Sequence, residues 1–284
     1  IMISANPSGI AANGADSSII TARLQTTGGR PVSDGIQVLF TTDFGFIIPY
    51  DSTTDGRAEA TLISADSSGV ANVCAFATDT GGVIDSACTQ VVFSSGPPDT
   101  VIAFILSGTD SLSGDTITVG SDRRMNIGVK VLDERGNPVA PGTIVHFKLD
   151  TILYGSLDDT VSTTNTAGFS STYFNAGNKS GLVWVTASTD NGKQGKVYIH
   201  LFPQKPHSME LAVDPDAIYV REAGEFDYSV ISSYIVDRYG NPVRDSTKVL
   251  FWLTSYPGDT LPDRPYLEPP HPDSSLYSDT VYTL

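Results

Sequence analysis

The sequence predicts an all-β chain of tandem Greek-key β-sandwiches with the third one incomplete. Three observations carry this: period-two hydrophobic alternation, a Gly-x-Pro-Val turn written three times, and a composition rich in turn formers, with 26 Gly and 17 Pro among 284 residues. Only 17% of residues are charged, and 32 Asp+Glu against 17 Lys+Arg give a formal charge of −15. Nucleic acid and anionic membrane surfaces need a basic face and are excluded as general partners. A hydrophobic fraction of 40% suffices for packed cores. No apolar run approaches the 18 or so residues of a membrane span; Val101 to Leu106 stops at Ser107-Gly108.

The repeat fixes the elements in order. Gly29-Arg30-Pro31-Val32, Gly136-Asn137-Pro138-Val139 and Gly240-Asn241-Pro242-Val243 place their prolines 107 and 104 residues apart. Before each turn an alternating strand offers Ile20, Ala22 and Leu24, then Ile127, Val129 and Val131, then Ile231, Ser233 and Ile235 to one face. Thr21, Arg23, Gln25, Gly128 and Lys130 are expected on the solvated face. After each turn a second strand turns Val38 and Phe40, Val145 and Phe147, and Val249 and Phe251 toward the same core, with His146 and Lys148 outside. Proline presets φ where the chain reverses. Later, Gly69, Val73 and Ala75 match Gly181, Val185 and Ala187, and each run leads through a turn to a last strand. No segment carries a helical period. Ser94 to Pro98 and Pro203 to Pro206 are short Pro-containing linkers, so the expected units are 1–96, 97–204 and 205–284.

A resemblance follows from these residues. Asn6-Pro7-Ser8, Ala12 to Ser18, Asp55-Gly56-Arg57-Ala58, Gly69 to Ala75, and Asp133 or Asp237 ahead of Gly-Asn-Pro-Val resemble the repeat of bacterial immunoglobulin-like domains, of the kind found in tandem in invasin- and intimin-type surface proteins. The first unit departs from the pattern with Gly-Arg-Pro-Val and no Asp at its turn. The resemblance implies immunoglobulin-like sandwiches in an exported, extracellular or cell-surface bacterial protein, and no catalytic residue. The sequence opens on Ile1 without a charged leader, so a signal peptide is expected to have been removed or to lie outside it.

The chemistry is sparse. Pairing the strands around Val73 and Thr89 sets Cys74 opposite Cys88, near disulfide distance, and a bond there would close a loop of about 15 residues. His146, His200, His207 and His271 lack a second ligand at metal spacing. No Gly-x-Ser-x-Gly elbow or Cys/His pair appears, so no enzyme and no cofactor is expected. Asp158-Asp159, Asp214…Asp216 and Glu222…Glu225…Asp227 leave structural calcium as a weak expectation, because the alternating acidic loop ending in Glu is absent. Asn178-Lys179-Ser180 fits a glycosylation sequon.

Only 42 residues follow Pro242, and Tyr256 to Asp273 spends many of them on a Pro-rich loop, so the third sandwich should lack its last two strands. Either the sequence is part of a longer repeat protein or another chain supplies a strand, with Phe251, Leu253 and Tyr266 as the expected assembly surface. The expected function is a non-catalytic rigid stalk or spacer on a bacterial surface, with other protein chains or further repeats as partners. The alternatives are a filament or surface-layer subunit, and an accessory module of a secreted hydrolase or carbohydrate-binding protein.

Overall fold

The structure, a computed structural model, describes residues 1–78, 82, 84–106, 116–122, 124–218 and 228–252, and the backbone of 278–282. Leu253, Tyr266 and His271 lie outside the described residues. All elements among the described residues are strands. In the first unit these are β1 (Met2–Asn6), β2 (Gly9–Ala11), β3 (Ser17–Arg23), β4 (Gln37–Thr42), β5 (Phe46–Ile47), β6 (Tyr50–Ser52), β7 (Arg57–Ile63), β8 (Gly69–Thr78) and β9 (Ile84–Ser94). The second unit repeats the series as β10 (Thr100–Leu106), β11 (Thr116–Thr118), β12 (Arg124–Leu132), β13 (Ile144–Leu149), β14 (Gly155–Leu157), β15 (Val161–Thr163), β16 (Phe169–Ala176), β17 (Gly181–Thr189) and β18 (Gln194–Phe202).

The two units share one topology. A four-stranded sheet β1-β3-β7-β5 faces a five-stranded sheet β2-β9-β8-β4-β6, and β10-β12-β16-β14 faces β11-β18-β17-β13-β15 in the same order. Pairing is antiparallel except for β2 on β9 and β11 on β18, which are parallel. Alternation then builds two separate cores. Ile20, Val38, Phe40, Val73, Val91 and Phe93 fill the first, and Ile127, Val145, Phe174, Val185, Ile199 and Leu201 the second, each almost wholly shielded from solvent. Burying such side chains contributes roughly 1.5–3 kcal/mol apiece, so each sandwich carries its own stability.

The outer faces are less solvated than period two alone implies. Thr21 is buried because Glu59 and Arg57 of β7 close over its hydroxyl. Gly128 is buried under β10: a Cβ there would sit 2.9 Å from the Phe104 ring and 3.1 Å from Leu106. Large side chains on the neighbouring strand cover a small residue, and alternation within one strand cannot register that.

The recurrent turn closes identically three times. The N–H groups of Thr26, Asp133 and Asp237 each donate to the carbonyl of the residue before proline at 2.8 Å, and Gly29, Gly136 and Gly240 take φ of +77°, +81° and +80°. The third unit contributes β19 (Ser208–Asp214), paired with β20 (Val230–Val236), and β21 (Lys248–Trp252), paired with β22 (Ser278–Tyr282). By their place around the turn, β19, β20 and β21 match β1, β3 and β4 of the first unit. Among the described residues only Ile235 and Val249 of this unit are buried hydrophobics.

Candidate functional site at the inter-unit joints

The turn does more than reverse the chain. Asp133 and Asp237 are 4% and 1% exposed, unusual for carboxylates without a buried cation. Each is satisfied by N–H donors. At the first joint the Asp133 carboxylate accepts from the backbone N–H of Gly96 in the linker (2.9 Å), from Arg135 and Asn137 in its own turn (2.9 and 2.8 Å), and from the Asn137 side-chain amide (3.1 Å). At the second, Asp237 accepts from Gln204 (3.0 Å), Tyr239 (2.8 Å) and Asn241 (2.9 Å), with the Asn241 amide at 3.0–3.1 Å. Burial pushes both carboxyls up, but the hydrogen bonds outweigh it and hold them below the usual carboxylate range.

The asparagine completes the joint by reaching back into the preceding unit. Asn137 Nδ2 donates to the Asp66 carbonyl at 2.8 Å, and Asn137 Oδ1 accepts from Ser68 N–H at 3.0 Å. Asn241 does the same to the Asn178 carbonyl (2.8 Å) and Ser180 N–H (2.9 Å). An amide paired with one C=O and, two residues on, one N–H of the main chain grips the inter-strand bend at two points, so the side chain fixes orientation as well as distance. The residue two after each Asp adds a second contact. Arg135 Nε lies 3.0 Å from Asp66 Oδ1 and its guanidinium reaches the Asn13 carbonyl at 3.3 Å, while Tyr239 packs on the second core directly over Gly120. The linkers join in: Gln204 Nε2 donates to Val119 O at 2.9 Å. In the first unit the positions of the pair are Thr26 and Arg30, and the turn closes without a carboxylate.

No protein-family model matches this sequence, and no curated protein matches it either. Solved structures do. The chain is similar to InvD of Yersinia pseudotuberculosis at 22% identity and a TM-score of 0.62, over 88% of this chain and 74% of that one. It is similar to the adhesin FdeC of Escherichia coli at 15% identity and a TM-score of 0.59, over 99% of this chain and 87% of that one. The chain has the fold of the invasin-type immunoglobulin-like domains.

The other singled-out residues stand apart from the joints. Cys74 and Cys88 are directly opposed in the β8–β9 ladder, 4.1 Å apart at Cα, and bonded to each other on the outer face of the first sandwich. Phe251 is half-buried on β21. His146 contacts Asp190 at 2.7 Å at the surface, His200 stacks on Phe202, and His207 is exposed at the second joint. Of the acidic pairs, Asp158 is engaged by Arg124 and Asn175. Asn178 and Ser180, the ends of the sequon, are the main-chain partners of Asn241. The signal for the joints was present in the sequence as the Asp and Asn four residues apart in units two and three; what they hold was not.

Proposed function

We propose that the chain is a non-catalytic, adhesin-type extracellular spacer that sets the distance and angle between neighbouring sandwiches through its Asp–Asn joints. The observation that carries this is the duplication of the joint. The same buried carboxylate and bridging amide recur at both junctions with matching partners and distances, although the surrounding residues differ. A loose tether needs no such pair, and each core is complete without it. Resemblance in fold to surface adhesins and a disulfide suited to an oxidising compartment support an exported location. The edge of β20 that faces outward where β3 holds β7 and β12 holds β16 has no such neighbour among the described residues, which favours, as a second reading, completion of that sheet by a further strand.

The test is a distance distribution between spin labels at Ser52→Cys in the first unit and Thr163→Cys in the second. Both sites are exposed. The parent should give one narrow distribution. Asn137→Ala removes both back-bridges and should widen it severalfold while the unfolding midpoints of the two sandwiches stay put, since about 1–3 kcal/mol is lost from the joint alone. A parent distribution already as wide as that of the variant would refute the spacer.

A further inference from the structure

The second joint differs from the first in the charge of its lining. Between units two and three lies an open cleft of about 800 Å³. Lys205, His207, Arg238 and Arg244 line it, and among the described residues no carboxylate does, in a chain with nearly twice as many acids as bases. The joint itself does not require these bases. Matching hydrogen bonds superpose the two joints residue by residue: Gly96 with Gln204, Asp99 with His207, and Asp133 with Asp237. On that register the four bases correspond to Pro97, Asp99, Glu134 and Ala140. At these four positions the same scaffold is neutral to acidic at one joint and basic at the other.

The cations are also held in place. The Arg244 guanidinium lies 3.6 Å from the centroid of the Phe202 ring, and Arg238 lies 4.6 Å from that of Tyr239 and hydrogen-bonds the Tyr239 hydroxyl. Stacked on Tyr239 and bonded to its hydroxyl through one N–H, Arg238 keeps its other N–H groups for an oxyanion. The nearest acid of the joint, Asp237, is turned inward onto Gln204, Tyr239 and Asn241. Among the described residues Lys205, His207 and Arg238 have no carboxylate partner.

We propose that this cleft binds an anionic saccharide chain, sulfated or uronate-bearing. Pro203, Pro206 and Val243 interleave with the cations, giving apolar faces for pyranose C–H groups between points that grip sulfate or carboxylate. A chain carrying one anionic group on successive sugars offers both chemistries in alternation.

Titration calorimetry on the 284-residue chain tests this with a heparin-derived octasaccharide, a hyaluronan octasaccharide, inorganic sulfate and a glutamate octapeptide. A saccharide should bind, sulfated or uronate-bearing according to which oxyanion the cleft prefers, more weakly as salt rises, and at least about 10-fold more tightly than either sulfate or the peptide. Replacing the four bases by the residues of the first joint (Lys205→Pro, His207→Asp, Arg238→Glu, Arg244→Ala) should weaken binding by about 100-fold or more, and Lys205→Gln with Arg238→Gln by about 10-fold. Slow hydrogen exchange at the Gln204 and Asn241 amides checks that the joint survives each change. Undiminished saccharide binding by a variant with an intact joint, no saccharide binding by the parent at millimolar concentration, or equal binding of the peptide would each overturn the proposal. None of these outcomes depends on how rigid the joints are.

Discussion

Single residues decide how two sandwiches meet. Asn137 and Asn241 are the clearest case, because each is nearly buried and each spends its whole amide on three partners: the acid of its own turn and two main-chain groups of the preceding unit. At the same scale, Cys74 and Cys88 reinforce one hairpin. Their bond spans 14 residues, and the chain-entropy account assigns a loop of that size about 3 kcal/mol. That is an upper figure here, since an uninterrupted ladder from Gly69–Phe93 to Thr78–Ile84 already holds β8 to β9. The double variant Cys74→Ser, Cys88→Ser should therefore lower the stability of the first unit by about 1–3 kcal/mol and leave the second unchanged. Denaturant unfolding followed by unit-resolved amide signals measures both. An unshifted first unit would mean that the hairpin gains nothing from the bond.

Among elements, the three-fold turn and the strands around it were legible in the sequence because their causes are local. Period two set Ile20, Val38, Ile127 and Val145 inward, Gly-x-Pro marked the reversal, and counting across a hairpin puts Cys74 opposite Cys88. The joints were not legible. Asn137 and Asn241 bind main-chain groups roughly 60–70 residues away, and every residue type carries a main chain, so no residue type betrays the partner. Gly168, which opens β16, shows the same limit. It takes φ +69°, its carbonyl accepts from Val131 N–H at 2.8 Å, and a Cβ would sit 2.5 Å from Val131 O and 3.1 Å from Pro138. Gly56 lies against Leu24 and Pro31 in the same way. Gly192 has φ +84° but nothing within 4 Å of a Cβ. Gly192→Ala should thus cost only the left-handed backbone, about 1–2 kcal/mol, and Gly168→Ala clearly more, about 3 kcal/mol or above, because two backbones must part. Urea midpoints of the second unit rank the two; equal losses would show that the close approach to the proline turn does not matter.

For the whole molecule, pH should act on the joints rather than on the sandwiches. The cores are apolar and do not titrate, whereas each joint is organised around a buried ionised carboxylate. Asp133 and Asp237 are held below the usual carboxylate range when folded, so their contribution is fully present above the ordinary value of about 4 and is lost as pH falls through the lowered one. Asp43, Asp99 and Asp158 are also lowered by side-chain partners, and Asp85 by the Ile1 ammonium, all at the surface, where solvent screening leaves such pairs worth little. Inter-unit distance distributions should consequently stay narrow from pH 7 to about 5 and widen below about pH 4, while β3 and β12 amides remain protected from exchange. Asp133→Asn should bring the wide distribution at the first joint to neutral pH, because an amide placed there turns one N–H donor toward the donors of Gly96 and Asn137. Widths that follow the loss of strand protection step for step would instead mean that acid unfolds the sandwiches and that the joints have no titration of their own.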